Sequence, residues 1–202
     1  MGGLAVLFLL GLYFVLTVVA IVKAKPVWAK GFVLLAALFI PTADAVYGRY
    51  KLKQMCVAEA GLKVYRVVHG VEGFMKDSAS EGWLRKYEYQ FIEVKNSPNY
   101  YRFSNQNGQI VREDNVTPKS QYRLRNNDYG ERDSYLHQQY LIEDIKTGEI
   151  LATDTQFTFN GGWAERFLAQ FSDAGGGNVA WCSNNPDILV RIDGLIKNTL
   201  KH

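Results

Sequence analysis

Residues 4–22 read LAVLFLLGLYFVLTVVAIV. The run carries no charge. A helix needs about 20 apolar residues to cross roughly 30 Å of hydrocarbon, and residues 3–22 meet that length. Lipid offers no partner to a backbone N–H or C=O, so a crossing segment is helical. A buried core helix of this length without a charge is hard to accommodate. A cleaved signal peptide would carry a basic region ahead of the apolar run, and nothing basic precedes Lys23.

Lys23, Lys25 and Lys30 form a short basic link to a second apolar run, Gly31 to Ala43. Lengthened past Lys30 and Asp44 it becomes a crossing over residues 29–48. Lys30 can snorkel. Trp28, Tyr47 and Tyr50 stand where interfacial anchors belong. Pro41, Lys30 and Asp44 are its weak points, and a re-entrant or interfacial helix is the alternative. Two crossings make a transmembrane helical hairpin, residues 1–53, with both chain ends on one side. Residues 54–202 then form a β-rich domain.

Charge supports that division. Residues 1–53 hold six Lys or Arg and one Asp, and residues 54–202 hold seventeen basic and nineteen acidic groups. The positive surplus is juxtamembrane and suits anionic headgroups of a lipid bilayer. The domain has no basic excess, so no nucleic-acid partner is expected.

Cys56 and Cys182 are the two cysteines. An even count outside the apolar runs fits one structural disulfide in an oxidising compartment. Two buried thiols in a cytosolic domain are the competing account. Three basic residues flank the second run on each side, so charge alone leaves orientation nearly tied. The pairing favours an extracytoplasmic domain, which in a bacterium is the periplasmic side of a multi-pass inner-membrane protein.

The domain reads as mostly antiparallel β covered by C-terminal helices, giving a membrane-anchored α+β fold. Strands are expected at Leu62–Val68, Tyr87–Phe91, Tyr100–Phe103, Gln109–Arg112 and Tyr122–Arg125, and a long hairpin joins Tyr135–Ile145 to Ile150–Phe159. Asn107-Gly108 is the strongest turn signal. Short connections suggest a meander. Trp163, Ala164, Phe167, Leu168 and Phe171 recur at helical spacing. Asn185 as cap, Pro186 at the first position and Asp187 in the first turn open a final helix, with Ile188, Leu189, Ile192, Leu195, Ile196 and Leu200 as its apolar stripe.

Chemistry is sparse. His69, His137 and His202 show no zinc spacing, so no metal and no cofactor are expected. Gly175-Gly176-Gly177 lacks the Lys-Ser/Thr of a phosphate loop, and no nucleophile elbow occurs. Asn115-Val116-Thr117 matches a glycosylation sequon. Tyrosine and arginine favour protein contacts, which makes Arg102, Arg112, Arg123, Arg125, Tyr122 and Trp163 the candidate binding residues. The leading reading is a non-enzymatic envelope protein binding another envelope or secreted protein, in an accessory, scaffold or immunity-like role. A membrane-proximal hydrolase on lipid or cell-wall material, using His137, Glu143 and Asp144, is the alternative. Gly11, Ala36 and Ala37 leave room for close helix contact, so assembly of the hairpin into a membrane complex or homo-oligomer stays open.

Overall fold

The computed structural model describes residues 2–79, 81–96, 98–127, 130–132, 134–169, 179–182 and 187–202. The fold is mixed α+β, a sheet domain flanked by terminal helices. Two helices lead: α1 (Gly2–Lys23) and α2 (Val27–Glu59). Then come β1 (Gly61–Val64), β2 (Gly73–Lys76), α3 (Glu81–Tyr87), β3 (Phe91–Asn96), β4 (Asn99–Gln106), β5 (Gln109–Asp114), β6 (Tyr122–Asn126), β7 (Gly130–Arg132), β8 (Tyr135–Asp144) and β9 (Ile150–Phe159). The chain closes with α4 (Trp163–Ala169), β10 (Ala180–Trp181) and α5 (Ile188–Thr199). Two compact units divide it. One is Met1–Gln54, Asp133–Tyr135 and Thr158–Ala180; the other is Met55–Arg132, Leu136–Phe157 and Trp181–His202.

In the first unit, α1 and the first half of α2 leave Phe14, Leu16, Val22, Trp28, Phe32 and Phe39 exposed. Tyr13 Oη donates to Ala37 O at 2.6 Å, tying the two helices together. Among the described residues no single helix is long and apolar enough to cross a membrane. Side chains of most of residues 2–10 lie outside the description, and within α1 the stretch Gly11–Lys23 counts as a shorter apolar helix. Val27–Ala37 and Thr42–Glu59 qualify together by length and composition, bent by 53°. Pro41 falls in that break, where its missing N–H interrupts the helical ladder. Beyond the bend, Gly48 lies under the Phe159 ring: a Cβ there would come 2.2 Å from Phe159 Cζ. Tyr135 donates from Oη to Gly48 O at 3.0 Å and packs its ring on Phe159 with centroids 5.2 Å apart.

The second unit is built on the sheet. Strand order is β1-β9-β8-β6-β2-β3-β4-β5, with β10 also pairing with β9 and β7 with β8. β3–β4, β4–β5, β6–β8 and β1–β9 are antiparallel. β4 and β5 meet through Asn107 and Gly108, both at positive φ (53° and 83°), the conformation that a two-residue hairpin of right-handed twist requires. The core gathers Val71, Phe74, Leu84, Ile92, Leu124 and Ile142 with Ile192, Leu195 and Ile196 of α5. The expected disulfide is present: Cys56 and Cys182 are joined, with Cα atoms 5.1 Å apart.

Several expectations are corrected. The sheet is not a simple meander, because β2 lies between β3 and β6 and is parallel to both. Gly73–Lys76, absent from the expected strands, is this central strand. Tyr87 ends α3 rather than opening a strand, and Glu88 follows at φ 60°. The Tyr-Glu-Tyr-Gln-Phe alternation is the spacing of a helix end and a strand start that happen to bury the same rings. β1 stops at Val64, and Val68 bridges Leu200 in parallel instead. α5 takes Asp187 as its N-cap, its side chain accepting from Leu189 N–H at 2.9 Å, so Asp187 stands outside the first turn. Leu189 of the expected stripe is exposed. Asn185, Pro186, Phe171 and Gly175-Gly176-Gly177 lie outside the described residues.

Candidate functional site

The candidate arginines and Tyr122 fall on two faces of the sheet. Partners in register share a face and neighbours alternate. Arg102 pairs with Glu93 and Glu113, and Arg123 with Glu143 and Met75. Those residues, and Arg125 with them, share one face. Arg112 pairs with Phe103, and Tyr122 shares the core-facing side with Leu124. Trp163 belongs to the other compact unit, half-exposed at the start of α4.

Most of these cations are occupied within the chain. Glu93 is 0 % exposed. It accepts from Arg102 Nη2 and Nε at 2.6 and 2.9 Å, and from the Lys119 and Ser120 amides at 2.9–3.1 Å. Burial alone would raise the Glu93 carboxyl. The hydrogen bonds from Ser120, Arg102 and Lys119 outweigh it, and the net shift is downward. Arg102 also reaches Thr117 O at 3.0 Å. The cluster pins the segment after β5 onto β3. Arg123 forms an ion pair with Glu143. Arg112 pairs with Asp114 at 2.8 Å, exposed to water, and lies over the Tyr101 ring at 4.3 Å.

The hydrolase residues do not converge. His137 and Glu143 are six positions apart on β8, roughly 20 Å at 3.3 Å per residue. Asp144 points to the opposite face. His137 stacks on Phe157 with centroids 4.7 Å apart. Asp144 accepts from Gln121 Nε2 at 2.8 Å and from the amides of Lys146 and Thr147 at 2.9 and 3.2 Å, so it caps the turn into β9. Hydrogen bonding from Gln121 leads the downward shift of its carboxyl. Among the described residues no group of three His, Cys, Asp or Glu could hold a metal.

Buried polar groups without partners gather at a different place in the second unit. A cavity of about 350 Å³ lies between β1, β9 and α5, with the Cys56–Cys182 disulfide in its wall. Asp154 of β9 and Arg191 of α5 line it, their side chains 6 % and 7 % exposed, with Arg191 Nε 2.8 Å from Asp154 Oδ2. The charges touch, yet Arg191 makes no hydrogen bond to Asp154 Oδ2. Arg191 Nη1 and Nη2 and Asp154 Oδ2 are buried without a hydrogen-bond partner among the described residues. Gln156, on the same face of β9 two residues on, also leaves Nε2 unmatched. Buried polar groups are nearly always satisfied, so such a cluster calls for an explanation.

Sequence reasoning missed Arg191, Asp154 and Glu93. The signal for Asp154 was there: an acid inside the otherwise uncharged run Ile150–Phe159. Arg191 stands between Val190 and Ile192 in an amphipathic helix, where local spacing carries no sign of a buried charge partner. Comparison with protein-family models, curated proteins and solved structures finds no match for this chain.

Proposed function

We propose that the chain is a membrane-anchored binding protein. Residues 1–53 form the helical anchor, and residues 54–202 form a domain on the oxidising side of the membrane that binds another protein. In a bacterium the anchor sits in the inner membrane and the domain in the periplasm. The observation that carries the reading is the Cys56–Cys182 disulfide, closed on the last turns of α2 directly after the apolar helices. Disulfides persist in oxidising compartments. The exposed apolar side chains of α1 and early α2 support the anchor, since so large an uncovered apolar surface is unfavourable in water. The ion pairs and hydrogen bonds of β3–β6 support a rigid recognition surface.

Side-specific thiol labelling tests location. Cys56 and Cys182 should resist maleimide until reduced, and should then react with an impermeant reagent from outside. Free labelling of both thiols from the cytoplasm would overturn the topology. Crosslinking in intact membranes followed by purification of the full chain tests the binding role. Recovery of no stoichiometric partner would overturn it.

A further inference from the structure

The cavity at Arg191 has the chemistry of a carboxylate receptor. A guanidinium stays charged at any physiological pH and cannot escape burial by losing a proton. The Arg191 side chain is more than nine-tenths buried, and its Nη1 and Nη2 have no hydrogen-bond partner among the described residues. Those N–H groups form the planar fork that matches the two oxygens of a carboxylate. Asp154 already balances the positive charge. A ligand with one negative charge leaves a local sum of minus one, whereas a phosphate dianion adds a second repulsion against Asp154. Among the described residues no other charged side chain lines the cavity.

The walls select what carries the carboxylate. Leu62, Val190 and the disulfide supply apolar surface, and Leu62 and Val190 are also exposed. At Gly194 an added Cβ would meet nothing within 4 Å, so the floor is open. β1 ends the sheet order, is exposed along its length, and has β9 as its strand neighbour. Such an edge accepts an added extended chain. Gly61 and Leu62 put the cavity at the start of β1. A chain laid antiparallel to β1 therefore delivers its C-terminal end to Arg191.

We propose that this cavity binds the C-terminal carboxylate of a partner polypeptide, with the Arg191 guanidinium as receptor, the last side chain against Leu62 and Val190, and the preceding residues along β1. The proposal rests on the reading of residues 54–202 as a protein-binding domain and names the chemistry of the partner's end.

The test uses the full chain in detergent micelles and fluorescence anisotropy. The probes are an N-terminally labelled octapeptide pool with randomised last three residues, the same pool amidated at the C terminus, and butyrate as competitor. The acid pool should bind at least ten-fold more tightly than the amide pool. Arg191→Gln should abolish that difference. Because that substitution leaves Asp154 buried and unpaired, Gly194→Phe provides a second variant: it fills the cavity from an open position and should abolish acid binding while circular dichroism and the disulfide are unchanged. Equal binding of both pools, or of wild type and Gly194→Phe, would overturn the proposal. So would competition by butyrate at the concentration where the acid pool binds, which would assign the site to small free acids. A partner crosslinked equally to wild type and Arg191→Gln leaves the binding role standing and removes this inference. Absence of any partner from wild type removes the binding role itself.

Discussion

Asp44 caps a helix from 119 residues away: its Oδ2 accepts the Trp163 backbone N–H at 2.6 Å. Trp163 opens α4, and the residue before it, Gly162, has no side chain to cap with. Glu165 supplies the other half of the motif locally, accepting from Gly162 N–H at 3.0 Å. Its Oε1 meets Arg49 of α2 at 2.5 Å. The close approach needs Gly162, where a Cβ would fall 2.6 Å from Asp44 Oδ1. Replacing Asp44 with Ala should cost about 1 kcal/mol, the usual loss for a helix N-cap. Asp44→Asn should retain most of it. Hydrogen exchange at Trp163, with denaturant unfolding in micelles, reads the effect. Unchanged Trp163 protection in Asp44→Ala would show the cap to be idle.

Two helical glycines should respond in opposite directions. Gly48→Ala drives a methyl into the Phe159 ring, so a loss of about 1–3 kcal/mol is expected, the range for overpacking. Phe159→Leu in the same chain should restore part of it, which a double-mutant cycle measures. Gly194→Ala meets open space within α5 and should gain up to about 1 kcal/mol from helix propensity. Equal responses would contradict the packing described.

Glu93 makes stability depend on acid. Its folded carboxyl lies below the ordinary value of 4.5, so its contribution is complete above that value. The contribution declines as pH falls below 4.5 and through the folded value. Glu93→Gln should cost about 3 kcal/mol at pH 7, the low end for breaking a buried pair, because Arg102 keeps Glu113 and Thr117 O. The gap between wild type and variant should narrow as pH falls below 4.5. Asp144 and Asp193 are also shifted downward and remain in both chains, so the difference isolates Glu93. A constant gap would show that the carboxylate charge is irrelevant.

Tyr89 works in the alkaline direction. Burial pushes its phenol up to about 12, and its Oη donates to Leu200 O at 2.9 Å. A raised folded value favours the protonated form, so its stabilisation is full below pH 10 and lost between 10 and 12. Tyr89→Phe should flatten that part of the stability curve. Absorbance of tyrosinate should show one fewer late-titrating ring in the variant. Titration of all rings near pH 10 would contradict the burial.

Reduction of Cys56–Cys182 should lower stability by about 4–5 kcal/mol in the chain-entropy account, given a separation of 126 residues. Cys56→Ala/Cys182→Ala should match reduced wild type in urea unfolding and lose the mobility difference between reducing and non-reducing gels. A disulfide-free chain as stable as wild type would mean that the link constrains little.

Signals confined to a few neighbouring residues were legible before the structure. The apolar run at 4–22, the Asn107-Gly108 hairpin, the β8–β9 pair and the α5 stripe each depend on local spacing or on a backbone conformation that few residues adopt. The two cysteines could pair only with each other. What local spacing cannot carry is the choice of partner across the chain. β2, four residues long and buried between two parallel neighbours, has no alternation to betray it. Tyr87, Tyr89 and Phe91 share a parity that suits a strand, yet a helix ends within them, because Leu84 and Tyr87 bury on the helical face. Asp44 has the spacing of an interfacial carboxylate, yet α4 meets it, and nothing near Arg191 in the sequence announces Asp154, which β9 places opposite. Composition and periodicity thus pointed to apolar helices and a sheet with one face to cover, and left the two cysteines as a candidate pair that the structure joins. Long-range packing alone decided which buried charges meet and which N–H groups lack a partner among the described residues, because a side chain's burial depends on what folds over it, and that is not written in its neighbours.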